Sequence, residues 1–203
     1  RVLHEKPPFM IRFTLKIGWA SCLEPHPRIA NDVIGLLNDE DKGVQEGAWD
    51  YIGSLPNRPD LNSILVDAWI RLGSERIGTL VQEPRLPAEP DKVALVQLLR
   101  GDVAGYHRLN DTSGRYLAGA LSMATADMRR RINSVILDAK DAALAESYRQ
   151  AVATGAEGAD SKQVIQSLMA AGNEDGLVEA TRTMTLGEVL PLCKHWAQTG
   201  HRP

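Results

Sequence analysis

Val33-Ile34-Gly35-Leu36-Leu37-Asn38-Asp39-Glu40-Asp41-Lys42-Gly43-Val44-Gln45-Glu46-Gly47-Ala48-Trp49-Asp50-Tyr51-Ile52-Gly53-Ser54-Leu55 sets two short apolar helical patterns on either side of an acidic turn. Neither helix can bury its apolar face alone, so each must stack on its partner and on neighbouring pairs. That pattern points to a helical repeat, and it contains no catalytic motif.

The same period extends outward. Helix starts are expected near Pro27, Asp60, Asp91, Thr125 and Asp160, giving successive spacings of 33, 31, 34 and 35 residues, within the range of solenoid arrays. The clearest single helix is residues 60–72, where Leu61, Ile64, Leu65, Ala68, Trp69 and Leu72 form one stripe and Gly73 supplies a stop. Residues 91–100 are apolar nearly all round, which predicts a helix inside the stack. Ile132, Val135, Ile136, Ala139 and Ala143 mark a further face, and Asp138 to Asp141 reads as a turn. Asp160-Ser-Lys-Gln163 opens a helix carrying Val164, Ile165, Leu168 and Met169. Thr185-Leu-Gly-Glu188 reads as a capping box before Leu186, Val189, Leu190, Cys193 and Ala197. Loops are expected at Pro56 to Pro59, Pro84 to Pro90, Gly101 to Gly114 and Gly155 to Asp160. Residues 1–25 form a segment apart. Within it Ile11, Phe13, Leu15, Ile17 and Trp19 alternate with polar residues as in a strand, yet a lone strand has no partner in a helical array, so a helix is preferred.

Val33-Ile34-x-Leu36-Leu37-x-Asp39 followed by Val44-x-x-x-Ala48-x-x-x-Ile52-x-x-Leu55 resembles a HEAT repeat, and Val164-Ile165-x-x-Leu168-Met169 with Leu177 and Ala180 resembles a poorer copy. The second helix departs from that family in Gly43 and Gly47, each costing roughly 1 kcal/mol against Ala in a helix interior, and lacks the usual late basic residue. Trp69-Ile-Arg-Leu72-Gly73 matches the opening of a tetratricopeptide repeat, but Arg76 and Arg85 stand where its Tyr and Ala belong. The HEAT-like resemblance implies an all-α fold, a right-handed superhelical stack of antiparallel helix pairs in one α-solenoid domain spanning residues 1–203. It also implies a concave surface, lined by second helices, that binds other macromolecules. Gln45, Glu46 and Asp50 are the residues it nominates for contact with a protein partner.

Composition narrows the function classes. The net charge is −3, with 12 basic and 14 acidic residues in positions 1–100 and 11 and 12 in the rest, which gives no electrostatic case for a polyanion or an acidic membrane. Cys22 and Cys193 lie 171 positions apart, no disulfide framework, and read as buried free thiols of a reducing, cytoplasmic compartment. Residues 9–20 are interrupted by Arg12 and Lys16, well short of a span. The start at Arg1 and the stop at His201-Arg202-Pro203 read as a piece of a longer protein.

No motif for chemistry emerges. Asp39-Glu40-Asp41-Lys42-Gly43 has its glycine at the fifth loop position and Asp50 at the twelfth, where a calcium loop needs Gly at six and Glu at twelve; a solvated turn is the simpler reading. Pro25 and Pro27 break any helix that would join Cys22 to His26, and Cys193 and His195 point to different sides. Tyr106-His107-Arg108 reads as a surface turn, Gly101-Asp-Val-Ala-Gly105 lacks the Lys-Ser/Thr of a phosphate loop, and Pro87-Ala-Glu-Pro90 reads as an interhelix linker. Arg129-Arg130-Arg131 fans round its helix and forms no stripe. Trp49 is expected to pack between helices. The reading is therefore a non-enzymatic protein-interaction scaffold without cofactor or metal. Two other classes stay open: a helical-repeat nucleic-acid-binding protein or DNA-acting enzyme recruiting Trp49, Asp50, Trp69 and the Arg129 run, and a spacer or oligomerisation module.

Overall fold

The computed structural model describes residues 10–11, 25–81, 85–155, 161–182, 184–185, 187, 189–191 and 193–194. Among these the fold is all-α, without strands. The helices are α1 (Pro27–Ile34), α2 (Lys42–Ser54), α3 (Pro59–Leu72), α4 (Glu75–Leu80), α5 (Pro90–Leu99), α6 (Val103–His107), α7 (Arg115–Met123), α8 (Ala126–Ala139), α9 (Ala142–Ala153), α10 (Ser161–Ala170) and α11 (Glu174–Thr181). They fall into two compact units, Arg1–Glu89 and Pro90–Pro203.

The expected helix starts hold to within a residue. Helices α1, α3 and α5 begin on Pro27, Pro59 and Pro90, where the ring's fixed φ suits the first helical position and its missing N–H leaves no bond unmade. Thr125 caps α8 by accepting from the Met128 N–H. The turn at Asp138 to Asp141 is confirmed: Lys140 takes a left-handed φ of 50° and Asp141 caps α9. That restart changes the helix phase, so Leu144 and Ala145 are buried while Ala143, expected on the apolar face, is exposed.

In the first unit, α1 packs on α2 and α3, and α3 packs on α4. The eight positions that carry the repeat pattern in the opening stretch, Val33, Ile34, Leu36, Leu37, Val44, Ala48, Ile52 and Leu55, are buried, as is Tyr51, while Trp49 is half-buried. The acidic turn between them serves the backbone. Asp39 Oδ1 accepts from the Asp41 N–H at 2.9 Å, and Asp41 Oδ1 accepts from the N–H groups of Gly43 and Val44 at 2.8 and 3.0 Å, capping α2. Helix α3 buries the expected Leu61, Leu65, Ala68 and Trp69, with Val66 and the polar Asn62 and Ser63 besides, while Ile64 and Leu72 are half-buried. Gly73 ends it at φ 62° with its N–H on the Trp69 carbonyl. The polar pair ties in the segment before the unit boundary: Asn62 Nδ2 donates to the Leu86 carbonyl, and Ser63 Oγ donates to Glu89.

In the second unit, α5 is buried at every position from Val93 to Leu99, as its all-round apolar sequence requires. It is surrounded by α6, α7 and α8. Further on, α7 packs on α9, α8 on α10, α9 on α10 and α11, and α10 on α11. Gly101 to Gly114, expected to be a loop, contains α6. Asp102 starts that helix by accepting from the Gly105 N–H, and Tyr106 anchors it, 1% exposed with its hydroxyl donating to Asp111 Oδ2 at 2.9 Å. Asp111 Oδ2 also accepts the Leu117 N–H in the first turn of α7, so one buried carboxylate joins two helices.

Cys193 is exposed, which corrects the buried thiol expected there; Leu190 on the same stretch is exposed too and Val189 half-buried, so the apolar stripe expected there is largely uncovered at its described positions. Met10 and Ile11 are helical, and the remainder of 9–20, Cys22, Asp160 and the capping partner Glu188 lie outside the described residues.

Candidate functional site

The outward side of α2 carries the residues nominated for partner contact, and the structure separates them. Gln45 is half-buried, and its Nε2 donates to the Leu37 carbonyl at 3.0 Å. It closes an orphan acceptor after α1 and belongs to the fold. Glu46 and Asp50 are exposed, one helical turn apart. Between them, Trp49 is half-buried, and its outer face is covered by the Arg76 guanidinium of α4 at 4.2 Å from the ring centroid. Stacking orders a long cation that would otherwise sample many rotamers. A carboxylate pair, an indole and a pre-ordered arginine thus share one surface of the first unit.

A concavity lies in the other unit, between α9, α10 and α11. It is a groove of about 340 Å³ lined by Arg149, Val152 and Ala153 of α9, Ser161, Val164 and Ile165 of α10, Glu179 and Ala180 of α11, and Met184. Arg149 is fixed in its wall: Nε and Nη2 donate to the two oxygens of Glu146 at 2.9 and 2.7 Å, and the side chain is only 17% exposed. Those bonds from Arg149 hold the Glu146 carboxyl below the usual range against the opposing effect of partial burial, aided by Gln150. Reciprocally, Glu146 raises the Arg149 pKa, and Glu179 adds to the effect. Glu179 pairs outward with Arg182 at 2.7 Å.

The other sequence candidates resolve into structural roles. His26 caps α1, its Nδ1 accepting from the Arg28 N–H. Tyr106 is an anchor of the core; burial pushes its phenol well above the ordinary value, as burial pushes Tyr51 up to about 12. His107 Nε2 meets Asp141 Oδ2 at 3.1 Å. The three successive arginines go separate ways: Arg129 Nε donates to the Ala124 carbonyl, Arg130 pairs with Asp127, and Arg131 Nη2 donates to the Leu99 carbonyl. Among the described residues no cluster of His, Cys, Asp or Glu is arranged to hold a metal ion, and no helix is long and apolar enough to cross a membrane. Sequence reasoning missed Arg76 and the groove, which are assembled from separate helices; the only local trace of the groove was Glu146 three residues before Arg149.

Comparison with protein families, with curated proteins and with solved structures finds no match to the chain.

Proposed function

We propose that the chain is a non-enzymatic protein-interaction scaffold whose units are stacks of HEAT-like helix pairs. The observation that carries this reading is the exposed surface of α2 and α4, where Glu46 and Asp50 flank an indole with Arg76 stacked on it. Trp and Arg dominate the residues that contribute most to protein interfaces, and both sit here on second helices of their pairs. The packing order agrees with a stack. First helices meet the next first helix, α1 on α3 and α5 on α8 on α10, and second helices α7, α9 and α11 follow one another likewise. The arginine run, each member engaged with its own fold, weighs against a nucleic-acid groove, which needs free cations along a phosphate track.

The test is double charge reversal, Glu46→Lys with Asp50→Lys, both at exposed positions. Helicity by circular dichroism should be unchanged, while the partner captured from lysate by the wild-type chain should be lost. Unchanged capture removes this surface from the site, and a salt-sensitive gain of duplex DNA binding by the wild-type chain would favour the nucleic-acid reading.

A further inference from the structure

Residues 85–89 lie against α3 without regular secondary structure, and α3 holds them chiefly by their main chain. Asn62 Nδ2 donates to the Leu86 carbonyl at 3.1 Å, while Ser63 Oγ accepts the Ala88 N–H at 3.2 Å and meets the Glu89 carboxylate. Pro87, between the two bonded groups, is buried; Leu86 is half-buried, and Ala88 and Glu89 are exposed. The prolines at 87 and 90 push the residues before them, Leu86 and Glu89, to extended backbone. Beneath this strap Asn62 is fully buried and Ser63 is 6% exposed. A buried amide is costly unless it is bonded. Asn57 Oδ1 takes one of the two Asn62 Nδ2 hydrogens, at 2.9 Å, and the strap takes the other.

The fit is incomplete. Asn62 Oδ1 is buried and accepts from no described residue. A side-chain amide can donate to a backbone carbonyl and accept a backbone N–H at once, and the strap supplies only the carbonyl. An unmet buried acceptor carries its full desolvation cost, against which the strap sets one buried side chain and one half-buried one. Segments with few buried apolar contacts open at lower free energy than the helices they cover. The seat on α3 also offers the same main-chain bonds to another segment that takes the same path. Such bonds supply affinity, while the cover over Pro87 and the Ser63 contact of Glu89 set the order of side chains. We propose that residues 85–89 are a displaceable strap, and that their seat on α3 binds in exchange an extended segment of a protein partner with the same order of apolar, proline, small and acidic residues. The proposal rests on the interaction-module reading above and adds to it a second contact of stated chemistry.

A short tether holds the strap over its seat at an effective concentration on the order of mM, so a free segment competes near that concentration unless the strap is weakened. Amide NMR on the full chain tests the exchange, with acetyl-Arg-Leu-Pro-Ala-Glu-amide as probe and a reordered peptide of the same composition as comparison. In the wild-type chain the Ala88 N–H should exchange with solvent at least about 10-fold faster than the N–H groups of Leu65 and Val66 within α3, the mark of a strap that opens without unfolding. The probe should move the Ala88 amide resonance saturably toward its position in the free peptide, while Leu65 and Val66 keep their protection. Leu86→Ser with Glu89→Ala weakens the strap without altering α3, and should tighten the probe about 10-fold, since more of the chain then has an open seat. Adding Ser63→Ala to that variant removes part of the seat and should weaken the probe again by about 5-fold. Ala88 exchanging no faster than Leu65 and Val66, equal binding of the reordered peptide, or equal affinity in the wild-type and strap-weakened chains would overturn the proposal. If Glu46/Asp50 reversal abolishes partner capture while the probe leaves Ala88 unmoved, the strap proposal fails and the interaction module stands. If the probe displaces the strap while that reversal leaves capture unchanged, the α2 surface fails and the strap proposal stands.

Discussion

Two glycines hold two helix seams together by opposite means. Gly78 in α4 lies against Trp69 of α3, where an added Cβ would stand 2.6 Å from the indole Cε2. Gly114, before α7, lies against α9, where the same atom would run into the Ser147 carbonyl oxygen and stand 2.7 Å from the Ala151 nitrogen. The first obstacle is a side chain, which can turn or be replaced by a smaller one. The second is helical backbone, and Gly114 also has φ 66°, where a Cβ is strained whatever the space. Close packing is thus negotiable at the α3/α4 seam and fixed at the α7/α9 seam. Ser147 makes the second seam more rigid still, donating its Oγ to the Asp111 carbonyl at 2.8 Å.

The largest effect is therefore expected for Gly114→Ala. A left-handed alanine costs about 1–2 kcal/mol and overpacking about 1–3 kcal/mol more, so urea unfolding should show destabilisation of roughly 3 kcal/mol; a loss below about 1 kcal/mol would mean that α9 yields and the contrast is false. Gly78→Ala should cost less, about 1–3 kcal/mol, and the cost should shrink when Trp69 is also changed to Phe. Trp69 Nε1 is buried with no hydrogen-bond partner among the described residues, so the smaller ring frees space without breaking a bond. A double-mutant cycle measures this relief directly. Additive effects of the two substitutions would show that the indole is not what Gly78 accommodates.

The same distinction explains what could be read from the sequence. Helix starts and the buried α5 follow from local rules: a proline at the first position, a capping Thr or Asp, an uninterrupted apolar run. The acidic turn was legible as a turn, and its two Asp side chains turn out to serve backbone N–H groups next to them in sequence. Helix α6 was not legible, because five residues have too little period to register and part of what holds it is distant: Asp141 lies 34 positions from His107, and Ser147, which bonds the Asp111 carbonyl, lies 36 from Asp111. That Gln45 is half-buried and bonded within the fold was not legible for a related reason. Helical phase placed it beside exposed neighbours, and only the path of the chain after α1 brings the Leu37 carbonyl to its amide. Of the candidate site, Glu46 and Asp50 were visible as polar positions on one helix, whereas the Arg76 stack and the groove needed tertiary structure.

The smallest expected effect concerns acid stability of the α7/α9 side. Asp141 has two duties: Oδ1 accepts the Leu144 N–H at 2.8 Å to cap α9, and Oδ2 meets His107 at 3.1 Å. Burial pushes its carboxyl up, but the Leu144 N–H, His107 and the Ala143 N–H together outweigh burial and hold it below the ordinary carboxylate range. A carboxyl depressed in the folded state contributes stability that is complete above its unfolded pKa, about 3.9, and is lost as pH falls through the folded value. Unfolding followed by circular dichroism from pH 7 to pH 2 should therefore show a steeper acid limb for the wild-type chain than for Asp141→Asn, which keeps a capping oxygen and cannot titrate. The two chains should differ most above pH 4 and converge below it. His107→Gln should remove part of that difference, since it keeps a donor and lacks the charge. If instead both variants parallel the wild type across the whole range, the His107–Asp141 contact between α6 and α9 adds no pH-dependent stability, and the neighbouring seam is held by packing and by the Gly114, Asp111 and Ser147 contacts.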